Sequence, residues 1–227
     1  MKIKQYIKLA RVSNTPTLVS NVLAGAALAG VTVPNGHIVL LIIGMILYYS
    51  AGMMLNDICD YAWDKQKKTH RPLIQGTITQ KNAGIATLLL FGIGTSIFFW
   101  QSEKAFFSSL ALLACIVIYN LWHKNNPIGP AIMAMCRVLV YVIAFFAFAI
   151  SITNLFLIAC SFLFLYMVTL TWIAKTYRNE KLTLFLIAGI SLYDGIILII
   201  TGSFIGALIA VCAFGLTLFL NTYIRGT

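Results

Sequence analysis

Eight apolar runs, separated by short turns and one long polar loop, limit the folds open to this chain. They occupy residues 16–33, 38–55, 84–100, 105–122, 129–150, 153–174, 183–201 and 204–222. A helix of about 20 apolar residues crosses the hydrocarbon core of a bilayer, where the backbone must satisfy its own hydrogen bonds. The sequence therefore predicts an all-α integral membrane protein, with about eight transmembrane helices in a single domain over residues 1–227.

The composition excludes most other classes of protein. Hydrophobic residues make up 60% of the chain and charged residues 10%, whereas a soluble domain carries about 25% charged residues. The formal net charge of +10 could indicate a nucleic-acid partner, but the positions of the basic residues explain it better. We therefore expect the lipid bilayer, and no nucleic acid, as a partner.

The basic residues are distributed asymmetrically about the eight predicted spans. The two termini and the breaks after spans two, four and six hold 14 of the 16 Lys and Arg residues. Of the other two, Lys104 lies on the opposite side and Arg137 lies inside a span. Because cytoplasmic loops are enriched in Lys and Arg, we expect both termini and the long loop to face the cytoplasm.

The long loop begins with a cluster of carboxylates. Asp57, Asp60 and Asp64 are spaced by three and four residues, so a helix continuing from the second span places them on one face, which Asn56 borders. Alone, three such acids repel one another. Oxygen ligands of this kind suit Mg²⁺, which completes its shell with water and phosphate. The cluster therefore predicts a metal–diphosphate site; the alternative is a solvated helix end.

A basic segment follows the acids. It contains Lys68 and Arg71, and the planar guanidinium of Arg71 is suited to phosphate oxygens. Pro72 and Gly76 predict a turn before the third span. Acids for a metal and a basic segment for phosphate together favour a diphosphate leaving group as the ligand.

These motifs resemble those of the UbiA superfamily of intramembrane prenyltransferases. The resemblance lies in Asn-Asp-x-x-Asp-x-x-x-Asp after the second span, followed by Arg-Pro-Leu-x-x-Gly-x-Ile. The first span contributes a further pattern: Arg11, Asn14, Pro16, Asn21 and Gly25. Within the superfamily, the start of this span looks most like the EboC-type branch.

The resemblance implies a helical bundle around a central cavity, in which Mg²⁺ holds an isoprenyl diphosphate. Diphosphate departure would leave an allylic carbocation, which a lipophilic or aromatic acceptor captures. The acidic motif would bind Mg²⁺ and diphosphate through Asn56, Asp57, Asp60 and Asp64. Arg71 would grip the diphosphate, and Asn21 would line the site.

Two loops depart from the family pattern. After span six, where the family has a second Asp-rich motif, the chain carries Lys175, Arg178 and Glu180. These residues either set topology or contact the diphosphate in place of a second metal. After span four, Tyr119 and Lys124 resemble a Tyr-x-x-x-Lys element shifted by one residue, and both are predicted substrate contacts.

Two charged residues are predicted to lie inside spans. Arg137 and Asp194 fall well within apolar runs, where an unpaired charge is expensive. We expect them to pair with each other. Alternatively, Arg137 lies at the cavity floor near the diphosphate, with Asp194 orienting it or acting as a base for the acceptor.

Two functions are compatible with these residues. The first is a Mg²⁺-dependent membrane prenyltransferase that uses an isoprenyl diphosphate. The second is a non-catalytic isoprenoid carrier or scaffold that lost turnover together with the second Asp-rich motif.

Overall fold

The computed structural model describes residues 2–67, 71–122 and 126–223, and every regular element in these ranges is helical. A single 3₁₀ turn, Val12–Asn14, follows the first helix. The α-helices are α1 (Lys2–Leu9), α2 (Pro16–Leu28), α3 (Gly36–Cys59), α4 (Tyr61–Lys67), α5 (Gln80–Gln101), α6 (Glu103–Trp122), α7 (Gly129–Phe146), α8 (Asn154–Tyr177), α9 (Glu180–Ile200) and α10 (Phe204–Tyr223). The predicted contacts Lys68 and Lys124 lie outside the described residues.

The eight predicted spans correspond to α2, α3 and α5–α10, so the predicted all-α architecture is confirmed. Within the described ranges, seven of these helices, α3 and α5–α10, are long and apolar enough to cross a membrane. The first, α2, has only 13 residues. The prediction of a span over 16–33 was therefore wrong in length.

A glycine ends α2 early. Gly30 adopts a φ of 84°, and its amide donates to the carbonyl of Ala27 while the Val31 amide donates to that of Ala26. This pair of hydrogen bonds is the Schellman motif, which closes a helix with a left-handed residue. An apolar run does not show this ending, because hydropathy is insensitive to a single left-handed residue.

Helix α2 lies at the centre of the bundle. Every residue of α2 except Val19 is buried, and the helix contacts α3, α7, α9 and α10. It approaches α7 closely at Gly25, where a Cβ atom would lie 2.8 Å from Ala144 Cβ and 2.9 Å from the Tyr141 carbonyl oxygen. The absence of a side chain at Gly25 therefore sets the distance between the two helices.

The outer surface of the bundle is apolar. Trp100 is 87% exposed and Leu88 73% exposed, and large apolar side chains are exposed on all seven long helices. Contiguous apolar surface of this extent is rare on soluble monomers and is typical of contact with lipid. The structure therefore agrees with the predicted membrane location.

Hydrogen bonds between helix termini define the two ends of the bundle. At one end, the Asn56 side chain near the end of α3 donates to Asn120 near the end of α6, over 2.9 Å. At the other, the His37 ring of α3 lies 3.0 Å from Gln101 Oε1 of α5. The acid cluster lies at the first of these ends.

The close approach at Gly25 gives a stability prediction. We expect Gly25→Ala to lower the melting temperature of the purified protein in detergent, because overpacking typically costs about 1–3 kcal/mol. The matched control is Gly92→Ala in α5, where a Cβ atom meets nothing within 4 Å. Equal melting temperatures for the two variants would contradict the proposed role of Gly25.

Candidate functional site

The three acids of the cluster lie on a nearly continuous helical path. Helix α3 ends at Cys59 and α4 begins at Tyr61. Asp60 joins them with a helical backbone, and its carbonyl accepts a hydrogen bond from the Asp64 amide over 2.8 Å. All three acids are buried, with exposed fractions of 5% for Asp57, 9% for Asp60 and 2% for Asp64.

Two arginines neutralise much of this buried negative charge. Arg71 Nη1 lies 2.6 Å from Asp57 Oδ1, and the same nitrogen contacts Asp64 Oδ2. Arg11 Nη2 lies 3.1 Å from Asp57 Oδ1. Because a buried charge is costly unless it is paired, these contacts explain how the carboxylates are accommodated inside the bundle.

The turn predicted before the third span holds Arg71 against the acids. The Pro72 carbonyl accepts hydrogen bonds from the amide and hydroxyl of Thr77, at 3.2 and 2.9 Å. Gly76 supplies the left-handed residue, with a φ of 67°. Leu73 and Ile78 are buried in a small apolar cluster beside the turn. The backbone that follows Arg71 is therefore held in place by this turn.

Arg11 is a site residue that sequence reasoning did not assign. It precedes the 3₁₀ turn and adopts a left-handed backbone, with a φ of 48°. Its partner Asp57 lies 46 residues further along the chain, so spacing alone cannot indicate the contact. Its place in the first-span pattern that resembles UbiA proteins was the available signal.

Helix α6 borders the acid cluster. The Asn56 side chain donates to Asn120, which is 6% exposed and was not assigned from the sequence. Tyr119, a predicted substrate contact, lies near enough to Asp60 and Arg11 to interact with them electrostatically. The cluster is therefore enclosed by α3, α4, α6 and the Arg71 turn.

The acid cluster can accommodate Mg²⁺ only as part of a larger ligand set. Among the described residues, no three His, Cys, Asp or Glu side chains are arranged to hold a metal ion. However, one nitrogen of Arg71 contacts both Asp57 and Asp64, so these two carboxylates can face a single cation. Mg²⁺ commonly binds one or two carboxylates and takes its other ligands from water and phosphate. The donor set therefore fits Mg²⁺ that binds together with a diphosphate.

The cationic loop after α8 is separate from this cluster in the structure. Lys175, Arg178 and Glu180 are all exposed, and none of them forms an ion pair with a described residue. Arg178 ends α8 with a φ of 48°, and the Asn179 side chain caps α9. The local geometry therefore accounts for the turn without bringing these side chains to the acids.

Asp194 is enclosed by hydrogen-bond donors deep in the bundle. Its exposed fraction is 0%. The carboxylate accepts hydrogen bonds from Ser20 Oγ at 2.5 Å, from Asn21 Nδ2 at 2.8 Å to each oxygen, and from the Tyr141 hydroxyl at 2.6 Å. Asn21 therefore donates to Asp194, and its place in the lining of the site stays a prediction. The role of Asp194 as a base for the acceptor stays a prediction.

Arg137 does not form the predicted ion pair with Asp194. Its Nη2 atom donates to Thr17 Oγ1 over 2.7 Å, while α2 and Tyr141 fill the hydrogen-bonding positions around Asp194. The two charges still attract each other at longer range. The prediction of a direct pair was wrong because depth along a span does not identify the neighbouring side chain.

A row of polar side chains on α2 links these features. Thr17, Ser20 and Asn21 are spaced by three and four residues and contact α7 and α9. Sequence reasoning did not assign Thr17 or Ser20, although helical spacing of polar residues in an apolar run was the available signal. The row continues toward Arg11 at the acid cluster.

Residues 18–226 match the UbiA prenyltransferase family. Two curated relatives are named digeranylgeranylglyceryl phosphate synthase. The one from Thermococcus gammatolerans is 29% identical over 129 residues, 56% of this chain and 46% of the relative. The one from Methanococcus aeolicus is 33% identical over 144 residues, 59% of this chain and 49% of the relative. The chain thus matches about half the length of these relatives.

Solved structures share the fold. A structure of digeranylgeranylglyceryl phosphate synthase superposes with a TM-score of 0.65 at 19% identity, covering 99% of this chain and 88% of that chain. A UbiA homolog from Archaeoglobus fulgidus bound to GPP and Mg²⁺ gives a TM-score of 0.64 at 15% identity, covering 95% and 85%.

The surroundings of Asp194 give a second stability prediction. Asp194→Leu leaves the donors of Asn21 and Tyr141 without an acceptor, which costs about 1–3 kcal/mol for a buried group, whereas the Ser20 hydroxyl keeps the Thr17 carbonyl as an acceptor. Arg137→Met removes one hydrogen bond to Thr17 and should lower the melting temperature less. Because the two residues have different partners, we expect additive losses in the double variant. Recovery of stability in the double variant would instead indicate a direct ion pair.

Proposed function

The chain belongs to the UbiA prenyltransferase family, and from this membership we propose that it transfers a prenyl group from an isoprenyl diphosphate to a lipophilic or aromatic acceptor. One observation carries the proposal. Three buried carboxylates lie at one end of a membrane bundle, and two of them, Asp57 and Asp64, contact the guanidiniums of Arg71 and Arg11. This combination supplies ligands for a metal ion and donors for a diphosphate at the same place.

We propose that Asp57 and Asp64 hold Mg²⁺, with Asp60 beside them. The solved UbiA homolog bound to GPP and Mg²⁺ supports the choice of Mg²⁺ as the metal by analogy. When bound, Mg²⁺ would neutralise charge on the diphosphate as it departs. The Asn56 side chain donates to Asn120, so we propose that Asn56 lies beside the metal and does not bind it directly.

The chain's own residues stabilise diphosphate departure in this proposal. Arg71 and Arg11 donate hydrogen bonds to phosphate oxygens, where negative charge increases as the allylic C–O bond breaks. The buried setting of Asp57, Asp60 and Asp64 limits water. The allylic cation then meets the acceptor before water captures it.

The other residues that the sequence predicts to contact the substrate differ in their positions. Tyr119 lies beside the acids and can contact the substrate. Arg137, held by Thr17, lies deeper and can contact the polar end of the acceptor. Lys68 and Lys124 stay predictions from the sequence, as do the exposed residues Lys175, Arg178 and Glu180.

An apolar groove lies farther along α2, toward the opposite end of the bundle. It has a volume of about 690 Å³. Its lining includes Val19 and Leu23 of α2, Ile42 of α3 and Ile209 of α10. We assign this groove to the isoprenyl tail, because its lining is apolar and it lies beyond the proposed diphosphate site along the central helix.

The proposal also covers the class of acceptor and the orientation of the protein in the membrane. The name digeranylgeranylglyceryl phosphate synthase describes a product with a glyceryl phosphate head, which favours a lipophilic over an aromatic acceptor. The distribution of Lys and Arg favours a cytoplasmic site and cytoplasmic termini. The resemblance to the EboC-type branch stays a prediction.

Transfer from a labelled isoprenyl diphosphate tests this function. We expect purified protein with Mg²⁺ and a lipid extract to release diphosphate, and Asp60→Asn to slow release by about 100-fold or more, as for lost electrostatic groups in other active sites. The matched control is Glu103→Gln, an exposed acid at the start of α6 at the opposite end of the bundle. Binding without diphosphate release for every acceptor tested would contradict the transferase and favour the carrier.

A further inference from the structure

We propose that the Arg71 guanidinium occupies the position between Asp57 and Asp64 that Mg²⁺ needs. When metal and diphosphate bind together, this guanidinium moves from the carboxylates to the diphosphate. The Arg11 side chain likewise moves from Asp57 to the diphosphate. The inference rests on the proposed function and adds a property to it: metal and diphosphate bind cooperatively, because each arginine is released only when both arrive.

The geometry of Arg71 supports direct competition with a metal ion. One nitrogen, Nη1, contacts Asp57 Oδ1 at 2.6 Å and also contacts Asp64 Oδ2. A cation bound to the same two oxygens would have to occupy the space that Nη1 fills. The guanidinium and the metal ion therefore exclude each other at this position.

The charges favour simultaneous binding of the two ligands. Among the described residues, Asp57 contacts both the Arg11 and the Arg71 guanidinium and Asp64 contacts Arg71, so cations already lie against both carboxylates. Mg²⁺ alone would displace a guanidinium from Asp57 and Asp64 and leave it beside a second cation, and a buried charge that loses its partners is costly. A diphosphate alone would add negative charge beside three acids. Together, the metal takes the carboxylates and the phosphate oxygens take the guanidiniums.

Arg71 already presents an unused donor for phosphate. Its Nε atom is buried and has no hydrogen-bond partner among the described residues, although the side chain as a whole is only 7% exposed. A buried N–H without an acceptor is rare in folded proteins. The planar guanidinium can offer this Nε–H edge to two oxygens of one phosphate, so the orphaned atom points to an oxyanion ligand.

The surrounding backbone allows the side chain to change partners. The turn after Arg71 is closed by the Thr77 hydrogen bonds to Pro72 and anchored by Leu73 and Ile78. Because the backbone after Arg71 is held in place, a change of side-chain torsions carries the guanidinium from one partner to the other. Arg11 makes the longer contact with Asp57, at 3.1 Å, and its side chain is 20% exposed, so it can follow Arg71.

Calorimetric titration of the full chain in detergent tests the inference without measuring turnover. The probes are Mg²⁺ alone, Mg²⁺ with inorganic pyrophosphate, and Mg²⁺ with geranyl diphosphate. For the unaltered chain, we expect either diphosphate to increase Mg²⁺ affinity by at least about five-fold, the lower range of coupling between linked sites. For Arg71→Met, we expect Mg²⁺ alone to bind at least about five-fold more tightly than to the unaltered chain, with the coupling reduced.

The matched control is Lys81→Met, which removes one positive charge from an exposed residue near the start of α5. It should leave Mg²⁺ affinity unchanged, because we attribute the tighter binding in Arg71→Met to the lost guanidinium and not to the change in net charge. If Arg71→Met does not fold, Arg11→Met replaces it, with the same direction expected.

The outcomes separate the inference from the proposed function. Mg²⁺ affinity in the arginine variant equal to or below that of the unaltered chain would overturn the exchange, even if Mg²⁺ and pyrophosphate bind tightly. Failure of every protein, including the unaltered chain, to bind Mg²⁺ with either diphosphate would overturn the proposed function itself.

Discussion

Polar and charged groups inside an apolar bundle must find their partners within the protein, and the rest of this structure depends on that constraint. Lipid offers no hydrogen bonds, so each buried polar group needs a neighbour from another helix. Helix α2 supplies most of these neighbours: Thr17 meets Arg137 of α7, and Ser20 and Asn21 meet Asp194 of α9. A short central helix with one polar row thereby joins the helices that surround it.

The same constraint shapes the acid cluster. Asp57, Asp60 and Asp64 are buried, so their charges require cations whether or not a ligand is bound. Arg11, which precedes α2, and Arg71, which precedes α5, supply such cations for Asp57 and Asp64. The site is therefore built from elements far apart in sequence, and its charge balance is part of the fold as well as of the proposed chemistry.

Much of this arrangement can be predicted from the sequence, because it depends on local spacing. The length of apolar runs predicts the long helices, the spacing of three and four residues predicts the shared face of the acids, and Pro72 and Gly76 predict the turn that holds Arg71. Contacts between residues far apart in the sequence cannot be predicted from local spacing. The partner of Arg137 and the contact of Arg11 with Asp57 depend on how helices pack, and neither depth nor charge identifies one neighbour among several. The early end of α2 depends on the single backbone conformation of Gly30.

The polar row of α2 has a consequence for the order in which the protein assembles. Thr17 lies 120 residues before its partner Arg137, and Ser20 lies 174 residues before Asp194. During synthesis, the first apolar helix is thus made long before the chain contains the groups that complete its hydrogen bonds. Helix α2 reaches its final environment only after α7 and α9 have entered the membrane. Helix α2 is therefore synthesised before α7 and α9 but is fully packed only after both.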